Sequence, residues 1–360
     1  MAESQFKTIH EIVKAARLNL NQTHWDYLVG GTETETTLNR NRASIDSKAL
    51  RPKVLNDVSN IDTQIQFMGT DLELPLILAP IGSLQVFDPE GGAGAAFAAE
   101  QAGIMSIASS VCSPDIEDIA KASNAAKIYQ LYVRGDERWQ DDIIKRVINS
   151  GYIGFCLTVD TAVVSRRERD IAKRVIPTSP ASPGDFSYQA SLNWRDVARI
   201  KEKHDIPLIL KGINRPDDAE KALEYGVDVI YVSNHGGRQL DQGSGSLDLL
   251  PGIVDAVNGR AEIVIDGGFY RGTDILKAMA LGANAVGLGR LEAWAMAAGG
   301  SDALVRCLAI LRHEIKESLA LCGVTCFRDL DKSFICDAAN PNPTGLHSAF
   351  PLLDLTNEGY

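Results

Sequence analysis

The 360-residue chain is 45% hydrophobic and 23% charged, an ordinary globular composition with enough length to bury a large core in one domain or two. Its formal net charge of −11 and pI near 5.1 argue against nucleic acid or an anionic membrane surface as main partner, because both need a basic face. Any anion it binds must therefore meet a local positive site.

The N-terminus, MAESQFKTIHEIVKAARLNL, is charged throughout and has no leader-like apolar core. No stretch approaches the roughly 18 apolar residues of a membrane span, so a cytoplasmic protein without a membrane partner is expected. Residues 1 to about 50 read as a helical appendage. Phe6, Ile9, Ile12, Val13 and Ala16 fall at helical spacing, and the segment HWDYLVGG, carrying Tyr27, ends at Gly30-Gly31 as a C-capped helix would.

From Leu74 to Arg290 two textures alternate. Eight aliphatic or β-branched runs, at 74–81, 104–109, 127–133, 152–160, 206–212, 228–233, 261–268 and 284–290, are separated by capped helical stretches such as SPDIEDIAKA, RPDDAEKALEYG and RGTDILKAMALGA. This pattern predicts an α/β fold, a (β/α)8 TIM barrel with an N-terminal helical appendage. One domain is expected, with a lead-in over 1–73, barrel strands and helices over 74–290, and C-terminal helices and an irregular tail over 291–360. A dinucleotide-binding sheet is rejected, because Gly92-x-Gly94 is followed by Phe97 where its third glycine belongs. The six cysteines lack zinc-type pairs, and no metal site is expected.

In such a barrel the chemistry sits at the carboxyl ends of the strands. The residues found there are Pro80, Ile81 and Gly82, then Ser109, Gln130 with Tyr132, Thr158 with Asp160, Lys211, Ser233 with His235 and Arg238, the Asp266-Gly267-Gly268 run, and Gly289 with Arg290. The most informative stretch is VIYVSNHGGRQLD (229–241), an apolar strand that breaks at once into polar residues. A histidine can take a proton from a hydroxyl near neutral pH, and the arginine fork three residues on matches a carboxylate. A base beside a carboxylate clamp suggests a 2-hydroxy acid. In isolation, a satisfied loop histidine next to a solvated arginine is the commoner outcome; the convergence of polar residues on one rim favours chemistry.

The glycine-rich ends IDGGFYRG and GLGR suit a phosphate, held by backbone N–H groups, by the helix beginning after Gly272 or Leu291, and by Arg290. Lys211 points into the same mouth, either as a Schiff-base nucleophile or as a fixed cation beside an electron-accepting ring.

Taken together, SNHGGRQLD, LKG, QLY, LTVD, DGGxxRGTD and GLGR resemble the FMN-dependent 2-hydroxy-acid oxidase and dehydrogenase family over roughly residues 5–335. The resemblance implies FMN as cofactor and oxidation of an (S)-2-hydroxy acid to the 2-keto acid, with oxygen or another acceptor reoxidising the flavin. It implies His235 as base, Asp160 behind it, Arg238 and Arg167 near the substrate carboxylate, and Tyr132 and Tyr27 as hydrogen-bonding partners of the substrate. Lys211 would stand near flavin N1. Pro80, Ile81, Gly82, Ser109, Gln130, Thr158, Ser233, Asp266, Gly267, Gly268, Arg271, Gly289 and Arg290 would line FMN. A homotetramer is likewise implied.

Three departures from the family stand out. Tyr270 replaces the first of two arginines that many members carry, leaving Arg271; Val111 stands where glycolate oxidase has a bulky aromatic; and the Ile176–Leu192 segment is short for the lid often found there. The last two imply a substrate bulkier than glycolate, and Gly82 leaves space near the flavin ring. Two other classes compete. A barrel transforming a phosphorylated metabolite has no need of the His-Arg pair, and a silent binding subunit has no need of His235, Arg238, Lys211, Asp160 and Tyr132 together.

Overall fold

The computed structural model describes residues 6–174, 185–340 and 343–353. The chain enters through α1 (Ile9–Asn19), α2 (Gln22–Val29) and α3 (Thr36–Asp46), the short strand β1 (Lys48–Leu50), and a hairpin of β2 (Ile65–Phe67) and β3 (Thr70–Leu72). Thr8 caps α1, accepting from the Glu11 N–H at 3.3 Å while the Glu11 carboxylate takes the Thr8 N–H at 2.8 Å. The stripe of Ile9, Ile12, Val13 and Ala16 is buried, as its spacing requires. Gly30 does end α2, but with φ −66 it is extended rather than the left-handed cap that Gly30-Gly31 suggested.

Each aliphatic run contains one barrel strand: β4 (Leu76–Leu78), β5 (Met105–Ser109), β6 (Lys127–Leu131), β7 (Gly154–Thr158), β8 (Leu208–Ile213), β9 (Val229–Val232), β10 (Glu262–Ile265) and β11 (Ala285–Leu288). They are parallel and close in sequential order, β11 pairing with β4, so the (β/α)8 barrel is observed. Inward-facing Ile77, Ile107, Ile128, Ile209, Tyr231 and Val264 fill the barrel, and Phe67 and Leu72 of the β2–β3 hairpin plug its amino end. The carboxyl end is left for the site.

Between and after the strands lie α4 (Gly91–Ala102), α5 (Ile116–Lys121), α6 (Glu137–Asn149), α7 (Glu168–Ala172), α8 (Ser187–Ser191), α9 (Trp194–Lys203), α10 (Pro216–Glu224), α11 (Ser246–Val257), α12 (Gly272–Ala280) and α13 (Arg290–Cys322). One expectation needs correcting: α13 is, by length and composition, apolar enough to cross a membrane. Two-thirds of its apolar window is buried against α1, α4 and α12, as in a core helix of the barrel shell. Beyond it, β12 (Ile335–Asp337) pairs antiparallel with β1, returning the chain end to the lead-in. The cysteines are free, and no metal-ligating cluster occurs among the described residues.

Candidate active site

A cavity of about 350 Å³ opens at the carboxyl end of the barrel, within the size range of small-molecule and cofactor sites. His235 enters it from the turn after β9, at φ 58. This left-handed conformation costs a non-glycine residue about 1–3 kcal/mol, and the site holds it there. The His235 N–H donates to Ser233 Oγ at 3.1 Å. Its ring spans two partners, with Nδ1 3.1 Å from Asp160 Oδ1 and Nε2 3.3 Å from the Tyr132 hydroxyl. With Asp160 ionised, Nδ1–H donates to the carboxylate, which leaves Nε2 as the acceptor.

Asp160 reaches the ring because its neighbour on β8 is a glycine. Gly212 has φ 112, and a Cβ there would lie 2.6 Å from the Asp160 Cβ. Burial disfavours charge on His235 and wins over Asp160, which pulls the other way, so the imidazole pKa falls below its usual value. For Asp160, burial alone would raise the carboxyl, but His235 holds it below the usual range.

The floor carries a second polar group. Lys211 Nζ donates to Ser233 Oγ at 2.8 Å and sits 3.1 Å from Asp266 Oδ2, and Ser233 donates to Asp266 Oδ1 at 2.6 Å. Burial alone would discharge Lys211; Asp266 and Asp160 outweigh it and keep the ammonium charged. A fixed cation follows, and the Schiff-base alternative, which needs a free amine, is disfavoured.

Arg167, Arg238 and Arg290 line the walls, and among the described residues none of them forms an ion pair with a carboxylate, although Asp170 lies near Arg238 and Arg167. Arg238 Nη1 donates to the carbonyls of Tyr27 and Gly30 at 2.7 and 2.9 Å, and Arg290 donates to those of Leu28, Gly30 and Gly236. Both guanidiniums thus cap the carboxyl end of α2, where its dipole favours cations. Burial, followed for Arg238 by the Arg167 charge, depresses the pKa of each. Buried Arg167 Nε has no partner. Half-buried guanidiniums without an ion-pair partner suit an anionic ligand. The appendage is fixed over this mouth: Arg169 pairs with Glu35 at 2.6 Å, the Glu33 N–H donates to Arg166 O at 2.8 Å, and Tyr27 stacks between Phe87 and Arg238.

These residues fit FMN. The cavity is lined by Ala79, Pro80, Ile81 and Gly82 after β4 and by Asp266, Gly267, Gly268, Gly287, Gly289 and Arg290 at the ends of the neighbouring β10 and β11. Lys211 supplies a cation at the ring end, and Arg290 supplies one where α13 begins, a helix whose N-cap, Gly289, makes no side-chain cap.

Not every expected contact is made. Arg271 is a correction: its guanidinium turns away from the cavity to Glu314, at 2.6 Å, and to Ala349 O. The amino end of α12 is closed as well, since Asp274 accepts from the N–H groups of Tyr270 and Arg271 and Glu314 from that of Gly272. Ser109, Gln130 and Thr158 lie in a buried chain beneath the wall, Ser109 Oγ donating to Gln130 and Gln130 to Thr158, both at 2.9 Å, and Ser233 acts through Lys211 and Asp266. Positions 176–184 of the expected short lid lie outside the described residues.

Other lining residues escaped the sequence reading: Phe87, Val163, Val164, Asp170, Ile171, Phe186, Gln189 and Gln239. Burial raises the Asp170 carboxyl against the pull of Arg238 and Arg167. The only hint of it in the sequence was its place one helical turn beyond Arg167.

The FMN-dependent dehydrogenase family model matches residues 16–337. An L-lactate oxidase of Nostoc sp. is 38% identical over 354 residues, covering 91% of this chain and 97% of the relative. A peroxisomal (S)-2-hydroxyacid oxidase of Arabidopsis thaliana is 34% identical, covering 92% and 96%. Among solved structures, a mandelate oxidase variant with 2-hydroxy-phenylacetamide superposes with a TM-score of 0.83 at 33% identity, over 90% of this chain and 96% of that one. With barrel, cavity and sequence in agreement, the chain belongs to the FMN-dependent dehydrogenase family and is an FMN-dependent oxidoreductase.

Proposed function

We propose that this protein oxidises an (S)-2-hydroxy acid bulkier than glycolate to the 2-keto acid, the electrons passing on to oxygen or another acceptor. The observation that carries this reading is the sharing of one cavity by a histidine whose Nε2 faces the Tyr132 hydroxyl and two arginines, Arg238 and Arg167. A base beside a carboxylate clamp is what removal of a proton from a 2-hydroxy acid requires.

Each residue then has a task. His235, kept neutral by burial, takes the substrate hydroxyl proton at Nε2, and Asp160 stabilises the imidazolium that results. Tyr132, whose phenol burial pushes well above its usual range, stays protonated and donates to the substrate oxygen. Arg238 and Arg167 hold the carboxylate, with Tyr27 beside them. The FMN this cavity fits would supply the acceptor for the C2 hydrogen and the electron pair of its bond, while His235 holds the hydroxyl proton. Lys211 keeps a positive charge at the ring end, and the apolar surface of Ile81, Phe87, Val111, Val163 and Val164 excludes water and receives the substrate side chain.

The relatives' names support the class, since they describe oxidases of lactate, mandelate and (S)-2-hydroxy acids. Anaerobic addition of acids of increasing side-chain size to the purified yellow protein tests the reading. Bleaching by branched or aromatic acids is expected. Efficient bleaching by glycolate with none by bulky acids contradicts the substrate assignment, and a yellow protein that no 2-hydroxy acid bleaches contradicts the reaction.

A further inference from the structure

The cofactor phosphate needs donors, and the structure removes several that the sequence offered. Arg271 is engaged by Glu314, the N–H groups of Tyr270 and Arg271 by Asp274, and that of Gly272 by Glu314. At this end of the cavity Tyr270 lies beside Arg290, 2% exposed and part of the cavity lining. Its ring is fixed on three sides: Trp294 of α13 at 5.2 Å, the Arg42 guanidinium at 5.5 Å, and Phe350 at 5.6 Å between ring centroids.

Phe350 belongs to the C-terminal tail, for which the sequence suggested no role. The tail is seated closely. His347 stacks on Trp25 and Trp294, Ser348 Oγ donates to Asp46 at 2.7 Å, Arg271 donates to Ala349 O, and Phe350 meets His10 and Trp294 edge-on. A tail anchored by five elements and pressed against one cavity-lining phenol does more than cover the barrel.

We propose that Tyr270 is a phosphate ligand of the cofactor, donating its hydroxyl beside Arg290, and that the tail segment 346–350 holds the phenol in place and so forms part of the cofactor site. The phenol suits the task, because burial keeps it above its usual pKa and therefore a neutral donor. Arg290 brings the charge. Its guanidinium is hydrogen-bonded to the carbonyls of Leu28, Gly30 and Gly236 and lies against the Tyr270 phenol, and among the described residues no carboxylate forms an ion pair with it.

The test is flavin binding to the apoprotein, read by quenching of flavin fluorescence, with FMN and riboflavin compared; neither measurement depends on turnover. Tyr270→Phe should raise the FMN dissociation constant about tenfold or more, the scale for losing a hydrogen bond to a charged group, and leave riboflavin binding unchanged. Phe350→Ala, or removal of residues 341–360, should reproduce the selective loss of FMN affinity, and Tyr270→Arg should restore or tighten it. FMN affinity unchanged in Tyr270→Phe, or both flavins weakened equally, overturns the role of Tyr270. Undiminished FMN affinity in the Phe350→Ala and truncated proteins overturns that of the tail.

Discussion

His235 Nδ1 lies 3.1 Å from Asp160 Oδ1, and the approach exists because Gly212 carries no Cβ. This pair sets both the tautomer and the basicity of the proposed base. Burial lowers the imidazole pKa below 6.5 and Asp160 partly restores it. The neutral form is the competent one, so the rate of substrate-driven bleaching should rise with pH through a pKa below 6.5 and level off above it. Asp160→Asn removes the attraction that holds the proton, which should move this limb to lower pH and lower the plateau by about 10²-fold or more. Stopped-flow rates against pH check both effects.

The Lys211–Asp266 pair is 5% and 10% exposed at its side chains, so breaking it leaves a carboxylate buried without its cation. Lys211→Met should cost about 3–5 kcal/mol, measured from urea midpoints. Adding Asp266→Asn should recover part of that loss. A double variant no more stable than the single one would remove the pair from the account.

The absence, among the described residues, of an ion-pair partner for Arg167, Arg238 and Arg290 predicts that an anion stabilises the fold. A non-oxidisable carboxylate analogue of the substrate should raise Tm in a concentration-dependent way, by linkage of binding to folding. In Arg238→Lys, which keeps the charge but loses the planar fork, the shift should shrink and KM for the acid should rise about tenfold or more. Thermal shift and steady-state kinetics on the same preparation supply both readings.

Pocket size depends on Gly82 and Val111. A Cβ at Gly82 would lie 2.7 Å from Val111 Cγ2, so Gly82→Ala must shift the valine, which lines the cavity beside it. The change should cost about 1–3 kcal/mol as overpacking and should raise KM for bulky acids more than for small ones. Val111→Ala in the same protein should reverse both effects.

Much of the architecture is legible in the sequence because each barrel strand is buried on both faces and reads as one aliphatic run, with Ile209, Leu210 and Tyr231 setting the texture. The position of His235, Asp160 and Lys211 was legible for a related reason: a polar residue directly after such a run has the barrel rim as its place. Other residues hid. Val163, Val164 and Ile171 reach the cavity from a loop and a short helix, where no periodicity marks an inward face. Arg271 misled because its charge suits a phosphate, whereas its direction is set by Glu314, 43 residues further along the chain. The contact behind the role proposed for the tail exists only once folding brings Phe350 against Tyr270.

The most direct test of the central claim is the anaerobic rate at which a 2-hydroxy acid bleaches the FMN-loaded His235→Ala protein, compared with wild type in single-turnover mixing. The proposed role of Nε2 predicts a fall of about 10² to 10⁴ with the flavin still bound. Bleaching at the wild-type rate would contradict it.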